Sequence, residues 1–369
     1  MYKKININNS KKNGIIFGKF YPLHIGHVDF IQKASGFVNN LYVIVCTDNK
    51  RDMKLFKESK MKKMPTAKDR VRFVGQTFKE QKNIKILHLE EDGIPEYPNG
   101  WKGWSDRVKK LLIKNNIKID IVFTNEIQDL ESYKNNFINK NNSEKVFDDN
   151  LEICTIDVSR SNFHISATEV RKNPYGNWFF IPRCVREFFV LKVVIIGSEN
   201  SGKTNLTQKL ANYYNTTYIK EYRKEYIEEV LQNNIENLQY EDYSQIAYRH
   251  NSEIINSVKS ADRLLFIDTD FTSLQAFSVL HTGNEHPIIK DFIRNSNFDI
   301  IIYIENVDKN GKNNEKFDKE LKKLLDSYNK RYVILEHYIE KNKYNLTRNY
   351  NKSIEIINNY IEDNEMKIW

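Results

Sequence analysis

Short uninterrupted apolar runs alternate with longer stretches of mixed polarity along most of this chain. Residues 14–18 form the first run, closed by Gly18, and lead through a loop bearing Pro22 into a helical stretch at 26–34. Residues 41–46 are too short and too rich in β-branched side chains for a buried helix, so they predict a buried strand. A helix opening at 69–74, a strand at 84–89, a helix at 104–112 and a strand at 120–124 continue the alternation. Residues 171–186 carry Pro174, Gly176 and Pro182, which interrupt any long element, and the pattern restarts near Val190. Strands are then predicted at 191–196, 264–268 and 299–304, with a helix at 203–213. Strands alternating with helices imply parallel sheets covered on both faces. The expectation is an α/β chain of two doubly wound parallel-sheet domains, at 1–180 and 188–369, with no internal repeat. The Asn- and Lys-rich tracts 134–145 and 309–316 read as exposed loops.

Composition changes this picture little. A length of 369 residues suits two domains, each able to bury a core. No apolar run approaches the ~18 residues of a membrane helix, and residues 1–13 are polar with no signal-type segment after them, so the cytoplasm is expected. Cys46, Cys154 and Cys184 are far apart, which points to reduced thiols rather than a disulfide framework or zinc site. The net charge of +8 is explained by a general bias toward Lys, Asn and Ile, or by attraction of polyanionic small substrates. Net charge alone does not indicate a nucleic-acid partner, and none is expected. The sequence leaves a homo-oligomer open.

Two segments carry chemistry. Gly197-Ser198-Glu199-Asn200-Ser201-Gly202-Lys203-Thr204 lies between an apolar strand and a helix, the context that a P-loop requires. Its glycines let successive backbone N–H groups curl around phosphate oxygens. Lys203 would neutralise the β and γ phosphates of ATP, and the Thr204 hydroxyl would ligate Mg2+. Asp268 and Asp270 follow at the end of a buried strand, where a carboxylate can hold magnesium or take a proton. The sequence does not choose between the two. Glu221 and Glu225, in a run of mixed charge, are candidates for orienting a sugar or phosphate.

The other segment is Gly18-Lys19-Phe20-Tyr21-Pro22-Leu23-His24-Ile25-Gly26-His27, which places two imidazoles at the start of a helix, separated by a glycine that permits close approach. Two histidines there suit charge on a pentavalent α-phosphorus and a departing pyrophosphate, with no covalent intermediate. Ile165-Ser166-Ala167-Thr168-Glu169-Val170-Arg171 reads as a second helix start, with Ser166 as N-cap and Glu169 completing a capping box.

His-x-Gly-His paired with Ile-Ser-x-Thr-x-x-Arg resembles the nucleotidylyltransferase superfamily, and residues 18–27 resemble its nicotinamide-mononucleotide adenylyltransferase branch. With the P-loop, Phe266-Ile267-Asp268-Thr269-Asp270-Phe271 and Gln275-Ala276-Phe277 following in order, residues 14–328 resemble the bifunctional NadR-type proteins. That resemblance implies a ribosylnicotinamide kinase joined to an adenylyltransferase: nicotinamide riboside and ATP give nicotinamide mononucleotide, and the mononucleotide with a second ATP gives NAD and pyrophosphate. It further implies that His24, His27, Gly18, Phe20, Gly26, Ser166, Thr168 and Arg171 handle ATP, that Lys19 assists at the phosphates, and that Arg160 stands where the family has an arginine. Trp101 and Trp104 fall in the segment that receives the nicotinamide end, leaving open which indole is core instead.

Three departures stand out. About 13 residues precede the first strand, too few for the helix-turn-helix domain of regulatory members, so DNA-binding repression is not expected. The family's Tyr-Gly-Arg-Glu reads Tyr222-Arg223-Lys224-Glu225, and the lid reads Asn306-Val307-Asp308-Lys309-Asn310-Gly311-Lys312-Asn313, without tryptophan or arginine. Lysine does not reproduce a bidentate guanidinium. The alternative this motivates is an adenylyltransferase whose P-loop domain is a weakly catalytic nucleotide sensor.

Overall fold

The computed structural model describes residues 12–138, 146–305, 312–336, 339–340, 343–344 and 346–363. Up to Val185 the described residues form one compact unit, and Arg186–Asp363 form a second.

The first unit runs β1 (Asn13–Gly18), α1 (Ile25–Ser35), β2 (Asn40–Thr47), α2 (Asn49–Lys57), α3 (Ala67–Thr77), β3 (Ile84–Glu90), α4 (Trp101–Lys114), β4 (Ile119–Phe123), α5 (Leu130–Phe137), β5 (Phe147–Cys154) and α6 (Ala167–Lys172), and the division between the units falls within α7 (Arg183–Phe189). Its sheet has the order β3-β2-β1-β4-β5, with every pairing parallel. Ile15, Ile16, Val43, Ile44, Ile121 and Val122 are almost wholly buried, as expected of central strands covered on both faces. The chain leaves β1 toward one edge and returns to β4 on its other side. A crevice therefore opens beyond the carboxyl ends of β1 and β4.

The second unit runs β6 (Leu191–Gly197), α8 (Lys203–Tyr213), β7 (Tyr218–Ile219), α9 (Tyr222–Glu229), α10 (Asp242–Val258), β8 (Leu264–Asp268), α11 (Phe271–Thr282), α12 (Pro287–Asn295), β9 (Ile300–Glu305), α13 (Lys312–Ser327), β10 (Val333–Glu336), a short β11 (Ile339–Glu340) and β12 (Lys343–Tyr344) pair, and α14 (Leu346–Glu362). The main sheet is again all parallel, in the order β10-β9-β6-β8-β7. Two doubly wound parallel sheets, the expected fold class, are what the chain forms.

Some expectations needed revision. The helix placed at 104–112 starts at Trp101, which puts both tryptophans on α4. The tracts expected as loops are partly helical: α5 continues through Phe137 and α13 begins at Lys312, because the apolar residues Tyr133, Phe137, Phe317 and Leu321 repeat at helical spacing and are buried. Residues 139–145 and 309–311 lie outside the described residues. Strand β5 escaped notice because it lies at the sheet edge, and Asp149, Asn150 and Glu152 face solvent within it.

Candidate active sites

In the first unit, β1 ends on Gly18 at the crevice, and the loop after it begins with Lys19 and ends on His24, the N-cap of α1. His24 is 4% exposed, and its ring stacks on that of His27 with centroids 3.7 Å apart. Gly26 leaves the room for this: a Cβ there would lie 3.1 Å from the His24 ring. Phe20 is buried and packs edge-on against His27 at 5.1 Å. The His24 backbone N–H donates to His27 Nδ1 at 3.4 Å, which leaves the His27 proton on Nε2. Burial, helped by the cationic Arg160 and Arg171, lowers the His24 pKa to about 4 against an opposing pull from Glu169. Burial and the neighbouring His24 push His27 down as well. Both imidazoles are neutral at physiological pH.

The predicted capping box is present. Ser166 Oγ accepts from the Glu169 N–H at 3.2 Å, and the Glu169 carboxylate accepts from the Ser166 N–H and hydroxyl, each at 2.7 Å. A cavity of 540 Å³ brings together Gly18, Lys19, Phe20, His24, Gly26, His27, Arg160, Ser166 and Thr168. Lys19 is exposed at its edge. Arg160, at a positive φ of 51°, reaches Glu126 at 3.2 Å. Arg171 is not among the lining residues: its guanidinium donates to the Tyr21 carbonyl at 2.6 Å and to Thr168 Oγ1 at 2.9 Å, so it braces the loop that carries the histidines.

A second cavity, of 270 Å³, shares Phe17, Gly18, Lys19 and Asp129 with the first. Trp101, Trp104, Tyr97 and Tyr133 form its aromatic wall, and Glu91 and Asp129 bring carboxylates to it. Both indoles line the cavity and both pack against the core cluster, so neither is simply core. Their centroids are 5.3 Å apart with planes nearly perpendicular, and Trp101 Nε1 is buried with no hydrogen-bond partner among the described residues. Glu91 pairs with Arg51 at 3.1 Å. Burial raises the Asp129 pKa despite a hydrogen bond from Tyr97. Tyr97, Glu91, Asp129 and Tyr133 were missed from sequence, because nothing in their spacing links the loop before α4 to the start of α5.

In the second unit, Gly197 has φ 151°, and a Cβ there would meet the Ile304 carbonyl oxygen at 2.6 Å. Asn200 at φ 62° and Gly202 at φ 87° complete the turn into α8. Lys203 is 2% exposed, donates to the Ser198 carbonyl at 3.3 Å and lies 3.8 Å from Glu221. Burial lowers its pKa, with Glu221 opposing. Ser198 Oγ and Ser201 Oγ are buried without partners among the described residues. Thr204 Oγ1 donates to Asp268 Oδ2 at 2.5 Å, while Asp268 Oδ1 is buried and has no hydrogen-bond partner among the described residues. Burial raises the Asp268 pKa, and Lys203 opposes that rise.

The structure separates the two aspartates. Asp270 is the N-cap of α11 and accepts from the Ser273 N–H at 2.7 Å. Between them, Thr269 is held at φ 78°, with its carbonyl 3.1 Å from His250 Nε2. Burial works against ionisation of Glu221, but Arg223, Lys203 and Lys224 outweigh it and bring its pKa to about 2. Glu225 is half-buried in the first turn of α9. Residues 306–311 of the expected lid lie outside the described residues. Among those described, no cluster of three or more His, Cys, Asp or Glu side chains could hold a metal ion by itself, and no helix is long and apolar enough to cross a membrane.

Residues 15–173 match the cytidylyltransferase-like family and residues 192–341 match the AAA domain family. The chain is 40% identical over 296 residues to the trifunctional NAD biosynthesis/regulator protein NadR of Escherichia coli (strain K12), a match covering 80% of this chain and 69% of the relative. Its fold is shared with the crystal structure of a NadR protein in complex with NR, at a TM-score of 0.77 and 24% identity, over 96% of this chain and 97% of that one. A NadR protein in complex with NAD and AMP-PNP superimposes at a TM-score of 0.75 and 24% identity, over 98% of each chain. A first unit with stacked histidines at a β1–α1 crevice, a second with a P-loop, and this identity across most of both chains lead to one conclusion: the chain belongs to the NadR family of NAD biosynthesis proteins.

Proposed function

We propose that the second unit phosphorylates the 5′-hydroxyl of nicotinamide riboside with ATP, and that the first transfers AMP from another ATP to the resulting mononucleotide, giving NAD and pyrophosphate. The observation that carries the reading is the pair of adjoining cavities in the first unit, one walled by aromatic rings, the other lined by neutral stacked imidazoles. The NadR relatives are named for NAD biosynthesis, and the NadR structures hold NR, NAD and an ATP analogue.

The nicotinamide end suits the smaller cavity. A cationic pyridinium is attracted to indole faces, a contact worth about 1–2 kcal/mol when desolvated, and the Asp129 carboxylate favours the same charge, whereas Glu91 is already paired with Arg51. The mononucleotide phosphate then lies toward Gly18 and Lys19, residues common to both cavities, with ATP in the larger one. A phosphate oxygen of the mononucleotide attacks the α-phosphorus in line; the new P–O bond forms as the bond to pyrophosphate breaks. His27, with its proton on Nε2, donates to the oxygens on which charge grows, and Lys19 and Arg160 offset the charge of the leaving group.

In the second unit the riboside oxygen attacks the γ-phosphorus and ADP leaves. Such a transition state is loose, so positioning and charge matter more than a strong base. The P-loop amides and Lys203 receive the phosphates. The unpartnered buried oxygen of Asp268, beside the Thr204 hydroxyl, fits a magnesium ion, and these two residues would hold it. When bound, it neutralises charge on the nucleotide phosphates. The same carboxylate is available to the attacking hydroxyl, whereas Asp270 is committed to its helix cap. A compartment supplying ATP and pyridine ribosides, the cytoplasm, is the setting this chemistry requires.

Product analysis tests the whole reading. With nicotinamide riboside and MgATP the intact chain should make NAD. Lys203→Ala should make it only from supplied mononucleotide, and His27→Ala should stop at the mononucleotide. NAD formed from mononucleotide but never from riboside would sink the kinase half and leave a nucleotide sensor in its place.

A further inference from the structure

Arg223 has no part in the mechanism above, yet its side chain is 3% exposed beside the P-loop. Its Nη2 donates to Glu199 Oε1 at 2.7 Å and its Nε to Glu221 Oε1 at 2.9 Å, while the guanidinium lies 3.7 Å from the centre of the Phe277 ring. Glu199 belongs to the P-loop itself, four residues before Lys203, and is half exposed. Glu221 is the acid 3.8 Å from the Lys203 ammonium. One planar cation thus ties the loop's own carboxylate to the carboxylate that faces its lysine. A negative charge within a phosphate-binding loop opposes the entry of a polyanion, and a neighbouring cation is what removes that opposition. Lys224 does not do this: it is exposed and its ion pair is with Glu221.

We propose that Arg223 is a positioning residue for phosphoryl transfer: it draws the Glu199 carboxylate onto its own fork and cancels its charge, so that the P-loop amides and Lys203 meet ATP unopposed. The fork is needed because two carboxylates are held by different edges of one guanidinium, and the flat cation also stacks on Phe277, neither of which an ammonium reproduces. This inference rests on the kinase reading of the second unit.

The test is a cycle of four intact chains: the parent, Glu199→Gln, Arg223→Met and the double variant. Riboside phosphorylation gives KM for ATP and kcat, and adenylylation of supplied mononucleotide in the same preparations measures the first unit as an internal control. Arg223→Met should raise KM for ATP by about tenfold, and adding Glu199→Gln should restore most of it, the non-additivity expected of charges in direct contact. Glu199→Gln alone supplies the fourth corner of the cycle, against which the rescue in the double variant is read. A double variant as weak as Arg223→Met, with the two effects simply adding, overturns the proposal, since a packing role on Phe277 is not rescued at Glu199. Should Arg223→Met unfold the second unit, Arg223→Lys replaces it, with a smaller rise in KM and the same rescue expected; no rescue again overturns it. If the parent fails to phosphorylate riboside, the kinase reading falls separately. Titration of the four chains with a non-hydrolysable ATP analogue, with Lys203→Ala as the blank, then reads the same coupling as rescued or unrescued affinity.

Discussion

Acidification should weaken the first unit, and His24 should account for a defined part of the loss. Its pKa lies near 6.5 in an unfolded chain and at about 4 in the native protein, mainly because burial disfavours the charged ring. Between those values the unfolded chain binds a proton that the folded one does not, so unfolding free energy falls as pH drops through the window and levels off below it. Full transfer across ~2.5 units is worth about 3.4 kcal/mol, of which about 2 kcal/mol is already lost on going from about pH 7.5 to about pH 5. Urea unfolding at those two pH values measures this directly. Three of the four tryptophans, Trp101, Trp104 and Trp178, lie in the first unit, which makes tryptophan fluorescence a suitable probe. The comparison is with His24→Asn, which retains an N-capping side chain but does not titrate. The variant should show a pH-dependent loss smaller by about 2 kcal/mol than the parent. Saturating ATP should also shrink the parent's loss, since a polyanion at the cavity raises the native histidine pKa. An unchanged pH dependence in His24→Asn would refute the reasoning, for it would mean that the buried ring is already protonated or that its proton is not linked to folding.

Two further outcomes follow from the geometry. Trp101→Leu should raise KM for nicotinamide mononucleotide by about tenfold while leaving KM for ATP within about twofold, because the lost indole face belongs to the smaller cavity; steady-state kinetics with each substrate varied separately checks it. Asp268→Asn should lower kcat of riboside phosphorylation by about a hundredfold or more. Asp270→Ala should instead cost about 1 kcal/mol of stability through its lost helix cap, with kcat changed only severalfold, as thermal unfolding beside turnover will tell.

The sites were legible in the sequence wherever function depends on backbone geometry close in the chain. The P-loop glycines, the His24–Gly26–His27 approach and the Ser166–Glu169 capping box are local arrangements, and each is found where its spacing placed it. What failed to register was assembled by the sheet. Tyr97 and Tyr133 join the expected Trp101 at one cavity from before and beyond α4, and only the packing of that helix beside α5 brings them together. Arg171, for which the resemblance implied an ATP-handling role, also donates to the Tyr21 carbonyl, 150 residues earlier, a contact that no local spacing announces. The pair Asp268 and Asp270 is equivalent in sequence but not in space, since one ends a strand beside Thr204 and the other begins a helix.

The two units meet the same electrostatic demand, admission of a triphosphate, from opposite directions. The first keeps its imidazoles uncharged by burial at the start of α1, so the attraction before the ligand arrives rests on Lys19 and Arg160, and the ligand's own charge strengthens the histidines as it enters. The second concentrates Lys203, Arg223 and Lys224 in one place but sets Glu199, Glu221 and Asp268 among them. Without those acids, three cations gathered around one loop would repel one another and Lys203, already driven toward neutrality by burial, would lose its proton more readily. With them, the lysine keeps its charge, and the remaining question is which acid yields to the incoming phosphates. Glu221 is buried among three cations and held to a pKa of about 2, whereas Glu199 is half exposed and held by Arg223 alone among the ion pairs described. The balance at the P-loop therefore turns on the Arg223–Glu199 pair.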